Sequence, residues 1–275
     1  MIEFTQGSSE VKLSKAISLK YPTVTYSTVL KALRNKDIIV NGIRVKEDIK
    51  LHSGDVVKAY IQPREVEYDI LYQDDNLAVV YKPKGIAVTG DNSLTSILSR
   101  DHNLIPCHRL DTNTDGLILY AKSDEYFHHI KDAMHSNQIN KYYLARVWGM
   151  PSISRQVLKA YLIKNPKTST VRISDSNVRG SVPITTTYVT VDVLDDGTSI
   201  LEVSLISGKT HQIRAHLAHV GHPIIGDSKY CPGEIRQKFR YNRQLLTAYK
   251  LVFDTRGALS YLNGKVISIS PSLYK

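Results

Sequence analysis

Two runs rich in β-branched residues, TTTYVTVDVL at 185–194 and SILEVSLI at 199–206, are separated by a turn that begins Asp195-Asp196-Gly197. Such residues suit a pleated, half-buried surface, while aspartate and glycine adopt the conformations of a tight turn. Strands joined this closely lie antiparallel, because a parallel return needs a crossover of a dozen or so residues. LAVVY at 77–81 and YYLARVW at 142–148 read as further strands, and helical stretches fall around 125–136 and 210–220. The expected fold class is α+β: from Tyr68 onward, a large, mainly antiparallel sheet flanked by helices.

Ahead of it, residues 1–61 read as a small α/β module. Leu13, Ala16 and Ile17, then Val29, Leu30 and Leu33, recur at helical spacing. In DIIVNGIRVK, Asn41-Gly42 sits between two β-branched runs and supplies the positive-φ residues of a two-residue hairpin. Ser53-Gly54-Asp55 turns the chain into a last strand, VVKAYI, which ends at Gln62-Pro63. Residues 62–67 are then a linker, and 68–275 the second domain.

The chain has 275 residues and carries a formal net charge of +10, with a pI near 9.4. A surplus of that size favours association with a polyanion, so nucleic acid is the first partner to consider. Residues 1–61 hold ten Lys and Arg against six Asp and Glu, a net +4. Lys31, Arg34, Lys36 and Arg44 cluster on the second helix and the hairpin, where a phosphate backbone could be tracked. No stretch approaches the ~20 apolar residues of a membrane helix, and the opening MIEFTQGSSEVK lacks the features of a signal peptide. Cys107 and Cys231 lie far apart and form no C-x-x-C pair, which points to a reducing cytoplasm.

The chemistry concentrates in His108-Arg109-Leu110-Asp111-Thr112-Asn113-Thr114-Asp115-Gly116, a polar loop entering the apolar run LILYA. A carboxylate there, beside an arginine and among hydroxyl and amide donors, can stay ionised in a cleft and act as a nucleophile. A second polar cluster is GKTHQIRAHLAHVGHPIIGD at 208–227, with His211, Gln212, Arg214 and His216 on a short helix after a turn glycine.

Together with YKPKGIAV at 81–88 and KYYLARVWG at 141–149, these segments resemble the RluA-type family of pseudouridine synthases over residues 68 to about 254. Residues 12–61 likewise resemble the alpha-L type RNA-binding module. The resemblance implies an enzyme that isomerises uridines in ribosomal or transfer RNA, with no cofactor because the reaction involves no net redox change or hydrolysis. It implies Asp111 as the essential aspartate, Tyr143 as the tyrosine lying against the base, and Arg214 as the basic partner of the aspartate. Arg109 would hold the target nucleotide out of its stack, and Lys82 and Pro83 would support the site. His108, Lys82, His211 and Gln212 are further expected at the RNA, with Lys31, Arg34 and Arg44 of the first module. Two departures stand out: Asp115 where serine is usual, adding a negative charge near the RNA path, and Cys231 where glycine is common.

Rival readings are weaker. His211, His216, His219 and His222 crowd one helix and its exit, but no H-E-x-x-H arrangement accompanies them, so no metal site is expected. Gly208-Lys209-Thr210 lacks the glycine of a phosphate loop, since Val203 stands at that position. A non-catalytic RNA-binding protein on the same fold is the alternative from another class, but it has no physical need for an acid among helpers in an RNA cleft. The chain is expected to act as a monomer.

Overall fold

The structure is a computed structural model that describes residues 1–270 except 8–9, 22, 63–65, 67, 100–101 and 166–167. The chain divides into two compact units: Met1–Tyr68 with Ile86–Leu104, and Asp69–Gly85 with Ile105–Lys275. Pro63 and most of the expected linker lie outside the described residues.

In the first unit, helices Leu13–Lys20 and Tyr26–Arg34 bury Leu13, Ile17, Val29 and Leu33 in one core with Ile38 and Val57. A four-stranded antiparallel sheet runs in the order Ile2–Thr5, Val56–Ala59, Ile38–Val40, Ile43–Arg44. Asn41 and Gly42 both have positive φ, 49° and 81°, as the two-residue hairpin demands. The strand Ile2–Thr5 went unread in the sequence, because four residues offer too short an alternation to stand out. Residues 86–104, which the sequence reading counts with the second domain, group with the first unit. There Lys15 pairs with Asp91, and Asn92 Nδ2 reaches Ser18 Oγ at 3.4 Å.

The second unit is built on an eleven-stranded sheet. Its path runs Thr170–Ser174, Arg155–Asn165, Val182–Val193, Thr198–Leu205, Ile139–Trp148, Leu246–Phe253, Asp115–Ala121, Leu77–Lys82, Asp69–Gln73. Val266–Ser268 and Ile105–Pro106 pair off that path. The Asp195-Asp196-Gly197 turn joins antiparallel neighbours as read, with Gly197 at φ 83° and Asp196 Oδ1 accepting from Thr198 N–H at 3.0 Å.

Among the described residues, one strand pairing is parallel: Asp115–Ala121 against Leu246–Phe253. At that junction Gly116 has φ 120°, and a Cβ there would stand 2.1 Å from the carbonyl oxygen of Ala248. Only glycine allows so close an approach, which explains its place just after the polar loop. The core beside this strand combines Leu77, Val79, Leu117, Leu119 and Phe253 with Ile130 of the helix Asp124–His135. Among the described residues, no helix is long and apolar enough to cross a membrane.

Candidate active site

Asp111 sits in the loop that enters the strand Asp115–Ala121, and several bonds fix that loop. Thr114 N–H donates to the Asp111 carbonyl at 3.0 Å, and the buried Thr114 hydroxyl accepts from Gln244 Nε2 at 2.6 Å. The Thr112 carbonyl accepts from Gly85 N–H at 2.8 Å and from Lys82 Nζ at 3.3 Å. Lys82 is wholly buried, and that burial pushes its ammonium down to about 8. Expected at the RNA, Lys82 instead ties the Pro83 and Thr112 carbonyls together, which places YKPKG beneath the loop.

His108 is corrected on the same ground. Its Nε2 accepts from Leu119 N–H at 3.1 Å, and burial pushes the imidazole down to about 3, so it offers phosphate no cation at neutral pH. Asp115, expected to add a negative charge near the RNA path, is used internally. It accepts from Thr247 Oγ1 at 2.8 Å and Tyr81 OH at 3.1 Å, and lies 3.6 Å from Lys84 Nζ.

The opposite wall comes from the helix Gln212–His219, whose first turn buries Gln212 and Arg214. Gln212 spends its amide on Thr185 O and Thr186 Oγ1, and its carbonyl accepts from Lys209 N–H and Ser207 Oγ. With these bonds made, it shapes the cleft rather than reading RNA. Arg214 spans two carboxylates. Nη1 donates to Asp111 Oδ2 at 2.8 Å, while Nε and Nη2 grip Asp227 Oδ2 and Oδ1 at 2.7 and 2.9 Å. Planar, bidentate geometry of this kind is what guanidinium provides and ammonium does not.

Asp227 has no exposed surface, and its Oδ1 also accepts from Lys229 and Tyr230 N–H. Burial alone would raise its carboxyl, but Arg214 and these backbone donors outweigh burial and hold it below the ordinary value of 3.8. Burial likewise works against the Arg214 charge, yet the two carboxylates raise its pKa further. Asp227 is the functional residue that sequence reasoning missed. The available signal was the G-D ending of the second cluster: Gly226 has φ 78°, and a Cβ there would lie 2.2 Å from the Arg243 carbonyl oxygen.

Arg109, Asp111, Thr114, Tyr143, Lys209, His211, Gln212 and Arg214 line one open cleft, with Leu110, Leu205, Ile213 and Leu246 as apolar wall. That mixture of apolar wall and convergent polar groups suits a small organic ligand. Tyr143 is buried, and burial together with the nearby Asp111 charge raises its phenol well above the usual range. Arg109 is exposed at the cleft. The histidines do not converge: His216 meets Thr186, His219 meets Asp175 and His222 meets the Trp148 carbonyl. Lys31, Arg34 and Arg44 stand exposed in the first unit.

The profile of RNA pseudouridylate synthases matches residues 76–219. The chain belongs to this family. A ribosomal large subunit pseudouridine synthase C from Vibrio vulnificus is 32% identical, over 84% of this chain and 79% of that protein. The protein of the same name from Vibrio cholerae is 29% identical, over 83% of this chain and 79% of its own length. The fold is shared with human RNA pseudouridylate synthase domain containing 1, at a TM-score of 0.64 and 24% identity, covering 78% of this chain and 88% of that one. The chain is thus an RNA pseudouridine synthase, an isomerase that acts on RNA.

Proposed function

We propose that the chain converts uridines in the RNA of the large ribosomal subunit to pseudouridine, with Asp111 as the nucleophile. The observation that carries this reading is a carboxylate in a cleft, held by Arg214 at 2.8 Å, with Tyr143 lining the same space. The names of the bacterial relatives support the substrate.

The carboxylate attacks C1′ of the ribose; the C1′–N1 bond breaks and its electron pair leaves with the uracil. The uracil turns within the cleft, C5 attacks C1′, and the bond to Asp111 breaks to return the carboxylate. A proton lost from C5 is matched by one gained at N1, so the product is an isomer and nothing is consumed. Reaching C1′ requires the nucleotide to leave its stack, which costs a few kcal/mol. Arg109, exposed at the cleft, fills the vacated space. Tyr143, kept protonated by burial, offers the base a neutral aromatic face, a contact worth ~1–3 kcal/mol in single-strand sites. Residues 1–61 act as an RNA-binding module, with Lys31, Arg34 and Arg44 tracking phosphates and residues 68–275 carrying the chemistry.

Pseudouridine mapping in RNA from cells lacking the gene, complemented with the wild type or Asp111→Asn, tests both halves. Large-subunit sites should vanish and return only with the wild type. Loss of transfer RNA sites instead would change the substrate, and restoration by the Asn variant would remove Asp111 from the mechanism.

A further inference from the structure

His211 has an uncommon backbone for a side-chain-bearing residue, φ 54° and ψ 17°, immediately before the helix that carries Arg214. Left-handed residues outside glycine collect at functional sites, where the surroundings over-determine them. The imidazole does not cap the helix. Its Nδ1 lies 2.9 Å from Tyr230 Oη, and its Nε2 lies 3.8 Å from Asp111 Oδ2.

The proton positions follow from the partners. Val171 N–H, which can only donate, reaches Tyr230 Oη at 2.9 Å. The phenol oxygen therefore accepts from the backbone, and its one O–H is free to donate to His211 Nδ1. Were Nδ1 protonated, the phenol would accept twice and turn its own O–H to solvent, whereas with Nδ1 accepting, the backbone N–H and the phenol O–H each meet an acceptor within the cluster. His211 is then the Nε2–H tautomer, with Nε2 3.8 Å from Asp111 Oδ2. Arg214 Nη1 reaches the same oxygen, Oδ2, while among the described residues no hydrogen bond reaches Oδ1.

We propose that His211, locked as the Nε2–H tautomer by Tyr230, is a positioning residue that with Arg214 holds Oδ2 of Asp111 and leaves Oδ1 as the oxygen that attacks C1′. The inference rests on Asp111 being the nucleophile. The 3.8 Å separation is that of the resting site, and such contacts tighten once substrate is bound. Neither Tyr230 nor the Val171 backbone meets the substrate in this scheme; they act through the imidazole.

The amide nitrogen of glutamine can stand near the place of Nε2, and that of asparagine near Nδ1. In the full chain, with a stem-loop RNA containing the target uridine, His211→Asn should lower kcat by roughly 10²-fold, the cost of a misplaced reacting group, with KM unchanged. His211→Gln should recover most of that loss. Nitrogen-15 spectra of the wild type should show the His211 signal, identified by its loss in His211→Gln, as the Nε2–H form, and Tyr230→Phe should mix the two tautomers. Equal activity of the Asn and Gln variants, or an Nδ1–H signal in the wild type, would overturn the proposal; the wild-type spectrum decides even where a variant fails to fold. Turnover by Asp111→Asn would sink the underlying reading instead, so the two failures are distinguishable.

Discussion

Lys31, Arg34 and Arg44 of the first unit are exposed, whereas Arg214 of the second is 5% exposed and gives three hydrogen bonds to two carboxylates. The groups carry the same charge but do different work. In water a cation is screened and mobile, so each contributes a modest, salt-dependent attraction to phosphate. A buried guanidinium is neither, and removing it strands whatever it neutralised. The cleft should therefore respond to substitution in large, cooperative steps and the first unit in small additive ones.

The largest effect expected is that of Asp111→Asn, which should abolish tritium release from uracil-labelled RNA while filter binding stays unchanged or tightens slightly, because an anion facing phosphate is gone. Arg214→Met comes next. It should also be inactive, and thermal melts should show a destabilisation of ~3–5 kcal/mol, as expected when one partner of a buried pair is lost.

Second-site variants then show which carboxylate is stranded. Asp111 keeps 20% of its side chain exposed and can be hydrated, whereas Asp227 has 0%. Adding Asp111→Asn to Arg214→Met should leave the protein destabilised, while adding Asp227→Asn should recover part of the loss. Recovery with the first pairing and not the second would reverse this assignment. The Asp227 carboxyl is held below 3.8 in the folded state, so its contribution is fully present above that value. It is lost as pH falls through the lower, folded value. Melts of Asp227→Asn should thus be less acid-sensitive than those of the wild type.

A smaller change separates the two aspartates of the loop. Asp115→Ser removes the carboxylate met by Thr247, Tyr81 and Lys84, and should cost ~1–3 kcal/mol in denaturant unfolding, with kcat at saturating RNA little altered. A collapse of kcat would place Asp115 in the chemistry. The smallest effects belong to the surface. Lys31, Arg34 and Arg44 changed to alanine should each flatten the log–log salt slope of RNA binding by ~0.7–0.9 without changing the melt. An unchanged slope would mean that these cations face solvent. Point substitutions test this more cleanly than deleting residues 1–61, because residues 86–104 belong to the same compact unit and would lose their neighbours.

Much of the fold was readable because it rests on local rules. Alternation along 185–206, the Asp-Asp-Gly turn, Asn41-Gly42 and the spacing of Leu13, Ile17, Val29 and Leu33 each act within a few residues, and the corresponding strands, turns and helices formed. The short strand Ile2–Thr5 depends on a partner more than fifty residues away, and no local pattern announces it. The Asp111–Arg214 pairing was expected from family resemblance rather than from spacing, since the two stand 103 residues apart.

What the sequence determined by itself was those strands, turns and helices with a strong local pattern and the two polar clusters, because propensity and turn chemistry are properties of neighbours in the chain. Only the tertiary structure decided what each polar side chain does. It turned Lys82 and His108 inward, consumed Asp115 among Tyr81, Thr247 and Lys84, and set Asp227 behind Arg214. The physical reason is desolvation: whether a charge serves a ligand or its own protein depends on how much water and which partners surround it. Those are supplied by segments distant in sequence.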